Sequence, residues 1–233
     1  MTQAVTFDAA GTLLRVEPSV GHVYAETASR YGVNVSPERL NEVFTAQWRR
    51  LRAAHAGSTP FHASEALERE WWNRLVTAVF ASAQSLDAFD GQFPQFFDEL
   101  YARFERPEVW HPFDDVLPTF EALHARGVAC AIVSNWDSRL PRLLDAMGWG
   151  RWVLFVLTSA EAGVGKPARA IFDLAVARLR CPSGDVLHVG DSIEDDARAA
   201  SRAGLRGVLL DRAGTCVDYA PSVASLTELL ELL

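Results

Sequence analysis

The chain has 233 residues, of which 49% are hydrophobic, and its formal net charge is −8 at pH 7. This length and apolar content are enough to bury a sizeable core, as one large domain or as a domain with an insertion. The surplus of negative charge disfavours nucleic acids and anionic membranes as main partners, because both attract cationic surfaces. We therefore expect a small-molecule ligand.

The sequence lacks the patterns that would predict a signal peptide, a membrane-spanning helix or a cysteine metal site. It has no charged-then-apolar leader and no run of about 18 apolar residues, so we expect neither a signal peptide nor a membrane-spanning helix. Its cysteines, Cys130, Cys181 and Cys216, are odd in number and are not spaced as metal ligands. This usage is typical of a reducing compartment, and we predict a cytoplasmic protein.

A short apolar strand comes first, over residues 3–7, and it ends directly before Asp8. Helical spacing then dominates residues 16–109, where Ser36 and Pro37 provide an N-cap and a first-turn proline for the second helix. No convincing strand pattern interrupts this block, so we expect it to be all-helical. The predicted helices cover 20–31, 37–57, 63–83 and 93–104.

Short β-branched runs alternate with helices beyond residue 110. Continuous apolar strands of this kind are typical of a parallel sheet that is buried on both faces. We predict an α/β fold, in which a parallel, Rossmann-like sheet is built from 1–15 and 110–233 and residues 16–109 form an inserted helical cap domain. The predicted strands of this part are 128–133, 153–157, 186–189 and 207–210, and its helices are 114–126, 137–147, 167–180, 194–203 and 222–232.

Polar residues with reactive side chains follow the predicted strands, at the sheet edge where open α/β proteins bind their ligands. These residues are Asp8, Ser134 with Asn135, Lys166 in Gly165-Lys166-Pro167, and Asp191 in Gly190-Asp191-Ser192, followed by Asp195 and Asp196. In this order they resemble the four motifs of the haloacid dehalogenase superfamily of hydrolases, over essentially the whole chain. The resemblance is to members with a helical cap inserted after the first motif, and among them to the haloacid dehalogenase-like hydrolase domain-containing group, which lacks the second Asp of that motif.

The resemblance implies a role for each motif. Asp8 would be the nucleophile and Lys166 the catalytic cation, while Ser134, Asn135 and Lys166 would bind the phosphate of the substrate. The superfamily's phosphatases use Mg²⁺, so the resemblance also implies a magnesium cofactor. Phosphoryl transfer needs mainly such positioning and charge compensation.

The acids by themselves favour a divalent cation. If Asp8, Asp191, Asp195 and Asp196 converged without compensation, their repulsion would raise one or more of their pKa values. Hard oxygen ligands suit Mg²⁺. We predict a magnesium site from these acids and the backbone carbonyl of Ala10, which needs no particular side chain; the choice of Asp196 over Asp195 stays open.

Lys166 is the only lysine among 22 basic residues. Its position in the motif favours a function over a solvated surface role. An ammonium is a compact point charge that can lie close to a carboxylate, where a guanidinium is bulkier.

Ala10 stands where the phosphatases of this superfamily carry a second Asp, the general acid. A missing general acid typically lowers the rate by about 10²–10⁴-fold. We therefore predict slow or selective hydrolysis of a small phosphorylated metabolite through an aspartyl-phosphate, with aryl and acyl phosphates preferred over alkyl phosphates. Glu17, His22, His55 and His62 could replace the acid by location alone, and none enters our catalytic set.

Other branches of the superfamily also lack the second Asp. The phosphonate-cleaving branch needs a cap lysine, and residues 16–109 contain none. The dehalogenase branch has a bulky aromatic residue in place of Ala10 and uses no metal, so Asp191 argues against it. Two alternatives remain open: an interaction protein that keeps a phosphate- and metal-binding pocket and, less favoured, a 2-haloacid dehalogenase.

Overall fold

The computed structural model describes residues 2–53, 64–216 and 219–233. In these ranges, no helix combines the length and the apolar character needed to cross a membrane. The candidate residues His55 and His62 and the predicted helix limits at 57 and 63 lie outside the described residues.

The described chain divides into two compact units. The first comprises 2–15, 112–216 and 219–233, and the second comprises 16–53 and 64–111. The second unit is an insertion in the sequence of the first.

The first unit is built on a six-stranded sheet in which all neighbouring strands are parallel. The strands of the chain are β1 (Ala4–Phe7), β2 (Leu14–Val16), β3 (Trp110–Pro112), β4 (Ala129–Ser134), β5 (Val156–Thr158), β6 (Val186–Gly190), β7 (Arg206–Leu210) and β8 (Ser222–Val223). The sheet has the order β5-β4-β1-β6-β7-β8, and β2 and β3 form a separate two-stranded sheet. This architecture confirms the predicted α/β fold.

Helices connect the strands and also make up most of the inserted unit. The α-helices are α1 (Val20–Ser29), α2 (Pro37–Ala53), α3 (Glu65–Ser82), α4 (Phe93–Arg103), α5 (Val116–Ala125), α6 (Leu140–Ala146), α7 (Ser159–Ala162), α8 (Arg169–Leu179) and α9 (Arg198–Ala203). A π-helical turn covers Ile193–Ala197. Short 3₁₀ turns cover Asp87–Phe89, Pro107–Val109, Trp149–Arg151, Ser183–Asp185 and Leu226–Glu231.

The predicted helix over 222–232 is wrong. Ser222 and Val223 instead pair with Leu209 and Leu210 as β8, and a 3₁₀ turn follows. Leu226 and Leu229 are buried at a spacing of three residues, which suits a 3₁₀ turn as well as an α-helix. The predicted strand over 153–157 is also displaced, because β5 covers Val156–Thr158.

The inserted unit has an aromatic core. Phe80 contacts the rings of Tyr24, Phe89 and Phe96, with centroid distances of 6.2, 5.1 and 5.0 Å. Each such pair contributes about 0.5–1.5 kcal/mol beyond the burial of its area. The aromatic spacing that predicted helices in this part of the sequence therefore also supplies the contacts that hold them together.

The register of the sheet positions the strand ends. Phe7 of β1 pairs with Ile132 of β4 on one side and with Val189 of β6 on the other. The residues that follow these three neighbouring strands therefore meet at the centre of the carboxyl edge of the sheet.

Candidate active site

Asp8 lies at this central position, directly after β1. Its backbone N–H donates to the carbonyl oxygen of Val189 at 2.9 Å. Its carboxylate accepts hydrogen bonds on Oδ1 from Ser134 Oγ at 2.9 Å and from Lys166 Nζ at 2.6 Å. Asp8 is 8% exposed, so this carboxylate is mostly removed from water.

The turn after Asp8 brings the backbone against Asp191. Gly11 has φ = +82°, in the left-handed region that favours glycine. A Cβ at position 11 would overlap Oδ2 of Asp191. Glycine is required here both by its backbone conformation and by the close approach of a carboxylate.

Ala10 is exposed in the middle of this turn. The carbonyl oxygen of the preceding residue, Ala9, accepts the backbone hydrogen bonds from Leu13 at 2.8 Å and from Leu14 at 2.9 Å. The side chain at position 10 is a methyl group and cannot transfer a proton. The metal contact assigned to the carbonyl of Ala10 stays a prediction.

Lys166 lies between two carboxylates. Its Nζ donates to Oδ1 of Asp8 at 2.6 Å and to Oδ1 of Asp196 at 2.5 Å. The residue is 3% exposed. Burial lowers the pKa of Lys166, but the charges of Asp196 and Asp8 outweigh burial and raise it above its ordinary value. The ammonium therefore stays charged.

Asn135 holds the backbone of Lys166. Its Nδ2 donates to the carbonyl oxygen of Lys166 at 2.7 Å, and its Oδ1 accepts from the backbone N–H of Lys166 at 2.7 Å. These two bonds engage both polar atoms of the amide. Asn135 therefore positions the cation, whereas the phosphate contact predicted for its side chain stays a prediction.

Asp196 lies in this cluster, within the π-helical turn Ile193–Ala197. In that turn the backbone N–H of Ala197 donates to the carbonyl oxygen of Ser192, five residues earlier, at 3.2 Å. The backbone N–H of Ser192 donates to Oδ2 of Asp196 at 3.0 Å, and a Cβ at Gly190 would collide with the same carboxyl group. The backbone N–H of the neighbouring Asp195 donates to Ser192 Oγ at 3.1 Å.

His188 is a site residue to which the sequence assigned no role. Its ring is fully buried in β6, with Nδ1 2.9 Å from Thr6 Oγ1 and Nε2 3.2 Å from Oδ1 of Asp196. Thr6 and His188 are register partners in β1 and β6. A polar residue in each of two otherwise apolar strands is a signal that the sequence contains. The signal can be interpreted only when it is known that the two strands pair and place these residues opposite each other.

Three acids lie close together, and Lys166 bonds two of them, Asp8 and Asp196. Ligand oxygens of Asp8, Asp191 and Asp196 lie within 4.8 Å of one another. Burial raises the pKa of Asp8, Lys166 opposes this shift and Asp196 adds to it. Burial also acts to raise the pKa of Asp196, but Lys166 and His188 hold it below its ordinary value.

The pKa of Asp191 is raised as well. Although Asp191 reaches the surface, loss of hydration beside the cluster and the negative charges of Asp8 and Asp196 raise its pKa to about 7. A divalent cation would remove this repulsion, and carboxylate oxygens are the donors that Mg²⁺ prefers. The residues present therefore fit the predicted magnesium ion, with Asp8 and Asp191 best placed. Both oxygens of Asp196 already accept hydrogen bonds, from Lys166, His188 and Ser192.

Comparison with known proteins agrees with this architecture. The sequence profile described as haloacid dehalogenase-like hydrolase matches residues 2–204. The chain belongs to the haloacid dehalogenase-like hydrolase family.

Two relatives span nearly the full length of the chain. It is 31% identical over 231 residues to the haloacid dehalogenase-like hydrolase domain-containing protein 3 of Danio rerio, covering 97% of this chain and 93% of that protein. It is 28% identical over 253 residues to the ribulose-1,5-bisphosphate 5-phosphatase of Halopiger xanaduensis, covering 100% of both chains.

Solved structures share the fold. A crystal structure of a dehalogenase matches with a TM-score of 0.74 and 24% identity, covering 100% of this chain and 97% of that chain. A phosphatase of this family from Thermococcus onnurineus matches with a TM-score of 0.67 and 24% identity, with the same coverage. Both kinds of hydrolase are thus found on this fold.

Proposed function

We propose that this hydrolase is a magnesium-dependent phosphatase that acts on a small phosphorylated metabolite through an aspartyl-phosphate at Asp8. The observation that carries this proposal is the buried ion pair between Asp8 and Lys166, beside an acidic cluster that needs a cation. The similarity to a relative named as a sugar-bisphosphate phosphatase supports the same reaction class.

The two carboxylate oxygens of Asp8 have different roles in this proposal: one is held by hydrogen bonds and the other reacts. In the part of the chain that the structure describes, its Oδ1 accepts both side-chain bonds, from Ser134 and Lys166. Oδ2 is therefore the oxygen that would attack phosphorus, forming an oxygen–phosphorus bond while the bond to the leaving oxygen breaks. Lys166 would offset the negative charge that collects around the phosphoryl group.

The leaving oxygen receives no proton from position 10. We therefore assign its protonation to solvent water, which favours leaving groups that are stable without a proton. In a second step, water attacks phosphorus, the bond to Asp8 breaks and inorganic phosphate is released. This step also lacks a base at position 10, so the aspartyl-phosphate should persist.

The proposed magnesium ion would be held by the carboxylates of Asp8 and Asp191 and by the backbone carbonyl of Ala10, with Asp196 beside them. When bound, it would supply positive charge to the phosphate oxygens. Asp196 accepts three hydrogen bonds, so we assign it mainly to holding Lys166.

A panel of substrates tests this proposal. Aryl, acyl and alkyl phosphates and 2-haloacids would be assayed with and without Mg²⁺, using the wild type and Asp8→Asn. We expect Mg²⁺-dependent phosphate release from aryl and acyl phosphates, lost in Asp8→Asn, and a phosphorylated Asp8 detectable by mass spectrometry. Metal-independent halide release would overturn the proposal in favour of a dehalogenase.

A second candidate function is that of an interaction protein, which binds phosphate and metal but hydrolyses no substrate. The absence of a general acid at Ala10 favours this candidate. Binding of Mg²⁺ and inorganic phosphate, without release of phosphate from any ester of the panel, would support this candidate. Asp196→Asn should disturb the site in either case, because the carboxylate of Asp196 bonds Lys166.

A further inference from the structure

The Lys166 ammonium depends on a carboxylate that must itself be held. Asp196 is 1% exposed, and its Oδ1 lies 2.5 Å from Nζ of Lys166. A buried carboxylate needs hydrogen-bond donors to compensate for lost hydration. The direction of these donors therefore decides where the ammonium lies relative to Asp8.

His188 supplies one of these donors from the interior of the sheet. Its Nε2 lies 3.2 Å from Oδ1 of Asp196, the same oxygen that Lys166 contacts. Asp196, as a carboxylate, can only accept, so the hydrogen of this bond belongs to Nε2. This holds for the neutral ring and for the charged ring, because both can carry hydrogen at Nε2.

The ring is fixed on its other side as well. Nδ1 lies 2.9 Å from the hydroxyl of Thr6, and the ring of Phe172 packs against the imidazole edge to face at 5.1 Å. Thr6 in β1 and Phe172 in α8 are themselves fully buried, so both contacts lie in packed surroundings. His188 is thus a rigid donor aimed at Asp196.

We infer that His188 is a positioning residue for the proposed phosphoryl transfer: it orients Asp196, and Asp196 in turn holds the Lys166 ammonium at Asp8. The inference rests on the proposed function, and it assigns a role to a residue that does not touch the reacting atoms. Outer residues of this kind typically change activity by roughly 10–100-fold when they are replaced.

Two amide substitutions distinguish the contributions of the two ring nitrogens of His188. The amide nitrogen of glutamine in His188→Gln can take the place of Nε2 and donate to Asp196. Asparagine in His188→Asn is shorter and reaches the position of Nδ1, beside Thr6, so the donor to Asp196 is lost. With an aryl phosphate and Mg²⁺, we expect His188→Asn to lower kcat by roughly 10-fold or more, with a smaller change in KM, and His188→Gln to restore much of the loss.

A second readout uses the single lysine. Labelling with ¹⁵N-lysine gives one ammonium signal, from Lys166, because the chain has no other lysine. In metal-free protein without substrate, this signal should shift in His188→Asn and stay near the wild-type position in His188→Gln. A residue that serves only the core would show no such difference between the two variants.

The wild type also provides a direct measurement, which does not depend on the folding of a variant. With ¹⁵N-histidine labelling, Nε2 of His188 should carry hydrogen, and a bare Nε2 would overturn the inference. Equal activities and equal Lys166 signals in the two variants would also overturn it. If the wild type releases no phosphate, or Asp8→Asn keeps full activity, the proposed function fails instead, and the NMR signals report on the hydrogen bond separately.

Discussion

The ammonium of Lys166 lies 2.6 Å from Oδ1 of Asp8 and joins two residues that are 158 positions apart in the chain. Both partners are buried, with side-chain exposures of 2% and 11%. An ion pair in such surroundings is weakly screened by water and salt. It therefore ties Asp8, the proposed nucleophile, to a fixed charge and makes the site sensitive to the loss of either partner.

Lys166→Met is expected to abolish phosphatase activity and to destabilise the protein. Removing one partner of a buried ion pair leaves an uncompensated charge and typically costs about 3–5 kcal/mol. The free energy of unfolding can be measured by urea denaturation without Mg²⁺. The loss should shrink at acid pH, because the carboxylates of Asp8 and Asp196 can then be protonated.

Arg169→Met is the matched control for that substitution. The side chain of Arg169 is 68% exposed and pairs with Asp173 at 3.2 Å. Exposed pairs contribute at most about 1 kcal/mol. Similar losses of stability in the two variants would contradict the importance assigned to the buried pair.

Ala10→Asp is expected to raise the hydrolysis of alkyl phosphates relative to aryl phosphates. A carboxyl group in this turn could protonate the leaving oxygen, and a positioned general acid contributes about 10²–10⁴-fold. The ratio of kcat/KM for the two substrate classes measures the effect. Ala10→Asn has a similar size but no acid, so an equal gain in that variant would argue against proton transfer.

Mg²⁺ affinity is expected to rise with pH up to about 7, because the pKa of Asp191 is raised to about 7 in the metal-free protein. Below that pH the metal must displace a proton, so affinity should fall by about tenfold per pH unit. Calorimetric titration at several pH values measures this slope. Asp191→Asn should remove most of the pH dependence, and an unchanged slope in that variant would contradict the assignment.

The same pKa shift has a consequence for stability. The folded protein holds the proton of Asp191 more tightly than the unfolded chain, whose carboxyl group has the ordinary pKa of 3.8. The contribution of Asp191 to the free energy of unfolding should therefore fall as pH rises from about 4 to about 7. Mg²⁺ should reverse this loss above pH 7, which thermal unfolding with and without the metal can test.

Gly11→Ala is expected to impair Mg²⁺ binding as well as stability. The new Cβ would overlap Oδ2 of Asp191, and φ at this position is +82°. Gly127→Ala is a matched control, because Gly127 has φ = +68° with no atom within 4 Å of the added Cβ. Both variants should lose about 1 kcal/mol from backbone strain, and only Gly11→Ala should lose metal affinity in calorimetric titration.

The secondary structure was predictable from the sequence where the local pattern of apolar residues fits only one type of element. The continuous apolar runs in β4 and β6 match strands buried on both faces, and the strands formed there. The end of the chain was not predictable in this way, because its leucine spacing fits either an α-helix or a 3₁₀ turn. There, Asp115 accepts hydrogen bonds from the backbone N–H of Leu226 at 2.8 Å and from Ser225 Oγ at 2.9 Å, and β8 pairs with β7. These long-range contacts decided the structure.

The candidate site, too, was predictable from the sequence only in part. The sequence by itself determined which reactive groups exist: a carboxylate after β1, a single lysine and no acid at Ala10. These are properties of covalent chemistry and need no neighbours. It also determined the family, because the order of the motifs is a property of the chain.

Only the tertiary structure decided which atoms these groups face. The amide of Asn135 is engaged by the backbone of Lys166, and the carboxylate of Asp196, which lies in a π-helical turn, bonds the ammonium. The contact between His188 and Thr6 joins two strands whose residues are 182 positions apart in the chain. The role of His188 in the site was therefore not visible from its local sequence. Contacts between such distant segments depend on strand pairing and side-chain direction, which no local pattern of residues records.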